Sequence, residues 1–139
     1  MVRAFLYRLL VRKPLSASIK LGPEDKESVL LADRLRLWSM EGRFRGVWWH
    51  TPNEVGYDTD RRARIRYARA IAMGCVPGTP DFVFIGCRSL VVEMKSKLGR
   101  LSDRQEDFRD WCELSGVSYH VCTSADEVEV ILRKEGLLL

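Results

Sequence analysis

Apolar positions recur along this chain in two periods, and the switches between them mark the elements. Leu31, Leu35 and Trp38 return at helical spacing, supported by Val29, Leu30 and Leu37, which predicts a helix with one face turned to a core. Pro23 suits its first turn, Glu24 and Asp25 suit its positive end, and Gly42 marks the stop. Gly46-Val47-Trp48-Trp49-His50 reads as a short strand halted by Thr51-Pro52-Asn53. Arg62 to Met73 reads as a second helix, with Ile65, Ala68 and Ala72 inward and Gly74 closing it. A turn-rich bridge, Cys75 to Pro80, leads into Phe82-Val83-Phe84-Ile85 and Leu90–Lys95, two strands joined by the hairpin-length Gly86-Cys87-Arg88-Ser89.

The second half alternates helix and strand. Ser102 with Gln105 matches a capping box, followed by an inward stripe of Phe108, Trp111 and Cys112 and a stop at Gly116. Val117–Cys122 is a further strand. Ser124 with Glu127 opens a last helix, with Val128, Ile131 and Leu132 inward and Gly136 at its end. Strand, crossover helix and strand over residues 90–122 predict a right-handed parallel unit. The class is α/β, with a basic arm over residues 1–22 and one domain over 23–139.

Three charged positions break this pattern in an informative way. Asp81 stands at the entrance of one apolar strand, and Glu93 and Lys95 lie two apart within the next, Leu90-Val91-Val92-Glu93-Met94-Lys95. Alternation sends Glu93 and Lys95 to one face and Val92 and Met94 to the other. Charges embedded in such a strand are costly unless paired or bound to metal. A short hairpin can return Asp81 to the later part of the second strand, so that Asp81 and Glu93 share one ion. Mg²⁺ takes one or two carboxylates and keeps several waters, and it can activate water and relieve charge on a phosphodiester. Lys95 can orient the water or offset the developing charge. The bland alternative is a structural Glu–Lys pair on an edge strand.

Charge adds a partner class. The net charge of +4 is unevenly spread: no acid precedes Glu24, and a second basic cluster runs Arg61, Arg62, Arg64, Arg66 and Arg69. Arg62, Arg66 and Arg69 share one helical face; a solvated face is the usual meaning of such a stripe, and the absence of interleaved acids tilts this one toward phosphate contact. Lys97 and Arg100 sit in the basic loop after Lys95. Cysteines 75, 87, 112 and 122 form no C-x-x-C pair; four reduced, mostly buried thiols point to an intracellular, cytoplasmic setting. No stretch approaches the length of a membrane span, and the Arg-interrupted Val2–Val11 segment is a poor secretory signal.

Together the blocks resemble the PD-(D/E)XK nuclease superfamily and, within it, the VRR-NUC family, over roughly residues 24 to 135. The matching residues are the first-helix acid Glu27, His50-Thr51-Pro52-Asn53-Glu54, and the Ala72–Asp81 stretch ending in Gly78-Thr79-Pro80-Asp81. After them come Val92-Glu93-Met94-Lys95, Gly99-Arg100-Leu101-Ser102-Asp103-Arg104-Gln105 and a late Gly116. Leu31 stands where members often carry Gln, so Glu24 remains an alternative first-helix acid, and Glu27 also reads as a first-turn acid complementing the helix dipole.

The resemblance implies a restriction-endonuclease-like core, a mixed four-stranded sheet flanked by helices. It implies Mg²⁺ or Mn²⁺ held by Asp81, Glu93 and the Met94 carbonyl, Lys95 as the catalytic lysine, and Gln105 and Glu27 at the site. Asn53 would position a loop or contact DNA, beside Arg62, Arg66, Arg69, Lys97 and Arg100, whereas His50 is left out of the catalytic set. The implied activity is endonucleolytic cleavage of branched DNA by a homodimeric Holliday-junction resolvase. A catalytically silent DNA-binding module and a nuclease subunit of a larger phage or restriction-like complex stay open as alternatives.

Overall fold

A computed structural model describes residues 3–52 and 60–139. In chain order the elements are α1 (Ala4–Leu10), α2 (Pro23–Met40), β1 (Gly46–His50), α3 (Arg61–Ala72), β2 (Phe82–Gly86), β3 (Leu90–Met94), α4 (Asp103–Leu114), β4 (Ser118–Cys122) and α5 (Ala125–Lys134). The strands form one sheet ordered β1-β2-β3-β4, antiparallel across the first two pairings and parallel between β3 and β4. This is the mixed four-stranded α/β sheet expected from the sequence.

Strand alternation sorts the sheet into two unlike faces. Phe82, Phe84, Val92, Met94 and Cys122 point to one side and are buried with Leu31, Leu35 and Trp38 of α2 and Val128 and Leu132 of α5. Each such side chain contributes about 1.5–3 kcal/mol by leaving water, so this layer holds the sheet rigid behind the site. Glu93 and Tyr119 point to the other side, which α4 covers over β4, while Val47, Trp49 and Ile85 stay exposed over β1 and β2. The sheet is therefore a backed plate with one half of its front open.

Several expectations give way to longer-range packing. In α3 the inward residues are Ala63, buried, and the half-buried Tyr67 and Ala70, whereas Ile65, Ala68 and Ala72 are exposed. A helix this arginine-rich offers no continuous apolar stripe to fix its rotation, so small and aromatic side chains settle it. Trp111 of α4 is also exposed, because Phe108 and Cys112, one turn apart, already fill the sheet-facing row. Cys75 and Cys87 are exposed, so only Cys112 and Cys122 are buried thiols. Leu137 and Leu138 enter the core as the chain end pairs with Phe44 and Arg45, a closure that no local period announces. The basic arm folds back on α2, where the Arg12 guanidinium grips Asp33 at 3.0 and 2.9 Å and holds that carboxyl below its ordinary range. Among the described residues no helix is long and apolar enough to cross a membrane.

Candidate active site

The hairpin register builds the centre of the site. Phe82 pairs with Val92, so one step further along the antiparallel ladder Asp81 stands across from Glu93. Two hydrogen bonds fix Asp81 there: its carbonyl accepts the Thr51 N–H at 2.7 Å, and its Oδ2 accepts the Met94 N–H at 2.7 Å. The approach to it is equally constrained. Gly78 has φ +81°, and a Cβ there would collide with the Arg104 carbonyl. Glycine is thus needed both for its backbone conformation and to let the loop lie against the first turn of α4.

Glu93 is only 2% exposed. Its Oε1 faces Lys95 Nζ at 3.3 Å and also accepts a hydrogen bond from Gln105 Nε2, while its Oε2 is buried without a partner. Burial, then the adjacent Asp81 charge, push the Glu93 pKa up to about 7, against the opposing pull of Lys95 and a hydrogen bond from the Asp81 backbone. Gln105 serves two ends at once. Its Oε1 accepts the Ser102 N–H at 2.9 Å to complete the capping box of α4, and its Nε2 reaches Glu93. One amide ties the helix start to the buried acid.

A carboxyl whose pKa is raised on folding gives a stability loss of definite sign. Below about 4.5 Glu93 is protonated in both folded and unfolded chains; between there and about 7 only the folded chain keeps the proton. Without a cation, stability is therefore expected to fall as pH rises through that window and to level off above it. Glu93→Gln should remove this slope and raise the melting temperature at pH 8 in chelator by several degrees. Thermal melts of both proteins from pH 4.5 to 8.5 check it; parallel curves refute it.

The donor set fits a hard divalent cation. Two carboxylates face each other, one oxygen is buried with no partner, and the backbone carbonyl of Met94 lies in the same segment. Among the described residues no cluster of three or more His, Cys, Asp or Glu side chains is arranged for a metal, and an ion that keeps several waters does not require one.

The other sequence candidates have different partners. Glu27 Oε2 accepts the Ala125 N–H at 2.8 Å, so its carboxylate caps the start of α5. Glu24 reaches the strand end, where its Oε1 accepts the Ser96 N–H at 2.9 Å, one residue past Lys95. Lys97 and Arg100 are exposed in the loop after β3, and Arg62, Arg66 and Arg69 are exposed on α3. Asn53 lies outside the described residues. His50 pairs with Phe82 and packs on its ring at 5.0 Å, which puts it on the face opposite Glu93.

Tyr119 is a neighbour that the sequence did not reveal. It pairs with Val91, two residues before Glu93, so the parallel register sends both Glu93 and Tyr119 to the front face. Its hydroxyl is buried without a partner, and burial followed by the Glu93 charge drives its pKa upward. Alternation along β4 carried that signal, but only the register of the parallel pair could connect it to Glu93.

Comparison with known proteins agrees with this arrangement. The VRR-NUC domain family profile matches residues 27–126. A solved structure described as a "VRR_NUC domain protein" superposes with a TM-score of 0.61 at 19% identity, over 84% of this chain and 89% of that one. No curated protein matches. The structural likeness shows a common fold, the restriction-endonuclease-like core expected from the sequence. Since the profile also spans the segments that deliver Asp81, Glu93, Lys95 and Gln105, the chain belongs to the VRR-NUC family, a family of nuclease type.

Proposed function

We propose that the protein is a metal-dependent, structure-selective DNA endonuclease that hydrolyses phosphodiester bonds in branched DNA, acting as a homodimeric Holliday-junction resolvase. The observation that supports it most is the Glu93 Oε2 atom, buried beside Asp81 with no partner while Lys95 stands 3.3 Å from the sister oxygen. Asp81, Glu93 and the Met94 carbonyl are the groups that would hold Mg²⁺ or Mn²⁺, which when bound supplies charge relief on the phosphate and an acidified water.

The chain's own residues supply position and charge. Met94 N–H and Gln105 Nε2 fix one oxygen of each carboxylate, so neither acid must reorganise when substrate arrives. Lys95 projects from the same face, placed to orient water or to offset charge growing on the phosphate oxygens. The arginines of α3, with Lys97, Arg100 and Asn53, would follow the DNA backbone. Two copies related by a dyad would nick opposed strands of a junction symmetrically.

The test is incubation of the pure protein with four-way, flap and linear DNA, each in Mg²⁺, Mn²⁺ or EDTA, with light scattering on the same sample. The expected result is a dimer that nicks the four-way junction at least about tenfold faster than linear duplex, a ratio equivalent to ~1.4 kcal/mol in the barrier, and is silent in EDTA. A monomer that cuts flaps and junctions equally overturns the resolvase reading. No cleavage in either metal overturns the nuclease reading itself.

A further inference from the structure

A groove of about 590 Å³ runs from the start of α4 to α3, floored by the Gly74–Thr79 loop. A second hollow of about 340 Å³ continues it outward and shares Val76, Pro77, Arg104, Phe108 and Trp111 with it. The larger groove includes Gln105, whose amide donates to Glu93, so one side chain links the groove to the acid pair. Phe108 and Trp111 meet edge to face, with ring centroids 5.6 Å apart, and Trp111 is 56% exposed. Tyr67 presents a third ring from α3.

An exposed tryptophan on a helix that already fills its sheet-facing row with Phe108 and Cys112 contributes little to the core. Its setting favours one class of occupant. Among the described residues, the groove lining contains Arg104 and no acid; α3 lends it Tyr67, Ala70 and Ile71 and carries five arginines outside that lining and no acid. Asp107 borders only the outer hollow. Aromatic rings beside the Arg104 guanidinium match a flat base joined to a phosphate, since every base offers a face to stack and the backbone follows positive charge.

We propose that this groove is a binding site for an unpaired nucleotide of the DNA substrate, with its base stacked on the exposed Trp111 ring, its edge against Phe108 and its phosphate against Arg104. The site thus takes hold of DNA where a base has left the duplex, next to the bond that Asp81 and Glu93 face. Its position beside the cleavage centre rests on the nuclease reading; its capacity to bind single-stranded DNA does not.

The experiment measures anisotropy of a labelled oligodeoxythymidylate and of a blunt duplex of equal length, in chelator, for the wild type, Trp111→Ala and Trp111→Phe. Circular dichroism checks that the variants fold. The expected result is that Trp111→Ala weakens oligodeoxythymidylate binding about tenfold, a loss typical of removing one stacking ring, and duplex binding less than about twofold, while Trp111→Phe restores most of the loss. The same Trp111→Ala protein with Mg²⁺ should show a lower ratio of flap to continuous-duplex cleavage than the wild type. Unchanged binding, equal weakening on both DNAs, or no rescue by Trp111→Phe overturns the proposal. Loss of self-association in Trp111→Ala by light scattering also overturns it, assigning the groove to a second copy of the chain. Absence of metal-dependent cleavage by the wild type, with the binding pattern intact, defeats the nuclease reading alone.

Discussion

Asp81→Ala and Glu93→Ala are each expected to lower cleavage at least about a thousandfold while changing DNA affinity by no more than about twofold, because charge relief disappears and the phosphate-binding groups elsewhere remain. The two acids are not equivalent in the fold. Asp81 accepts the Met94 N–H, so its removal also loosens the hairpin end; Glu93 is buried and raised in pKa, so its removal relieves a strained charge. Glu93→Ala should therefore be the better folded of the two, and equally inactive. Lys95→Ala is expected to lose activity about a hundredfold yet keep divalent-cation binding, measured by calorimetry, because an ammonium donates hydrogen bonds and cannot ligate. Wild-type rates from either acid variant would remove the pair from the reaction.

Replacing Arg62, Arg66 and Arg69 together by alanine is expected to weaken binding of branched DNA and to reduce the salt dependence of log K by about 0.9 for each phosphate left without its guanidinium. All three are exposed on α3, with no acid in the helix to neutralise them. The helix itself should survive, since the Asp60 carboxylate caps its start by accepting the Arg62 backbone N–H at 3.2 Å, and alanine is the strongest helix former. Titration of DNA binding between about 50 and 300 mM salt reads both quantities. An unchanged slope means the arginines only solvate the helix.

The sequence carried whatever depends on neighbours a few residues away. Helical and strand periods placed α2, β1, the β2–β3 hairpin, α4 and α5 close to where they lie. Spacing of two put Glu93 and Lys95 on one face, and a short hairpin returned Asp81 beside them. Spacing of three marked the Ser102–Gln105 box. Each is a local rule, obeyed whatever the rest of the chain does.

What the sequence could not decide were contacts between segments that no period links. Glu24 and Glu27 lie one turn apart on the same helix, and only the docking of α2 against Ser96 on one side and Ala125 on the other separates their roles. Gln105 fitted both a cap and a site residue; the approach of α4 to β3 allows its two amide atoms to do both. Trp111 read as core by its spacing, yet one row of Phe108 and Cys112 suffices to seat α4 on the sheet, and the ring is left facing the groove. Tyr119 shares the face of the acid pair through the β3–β4 register alone. Periodicity assigns a residue to a face; the tertiary structure decides what that face meets, because its partner is set by burial summed over the whole chain.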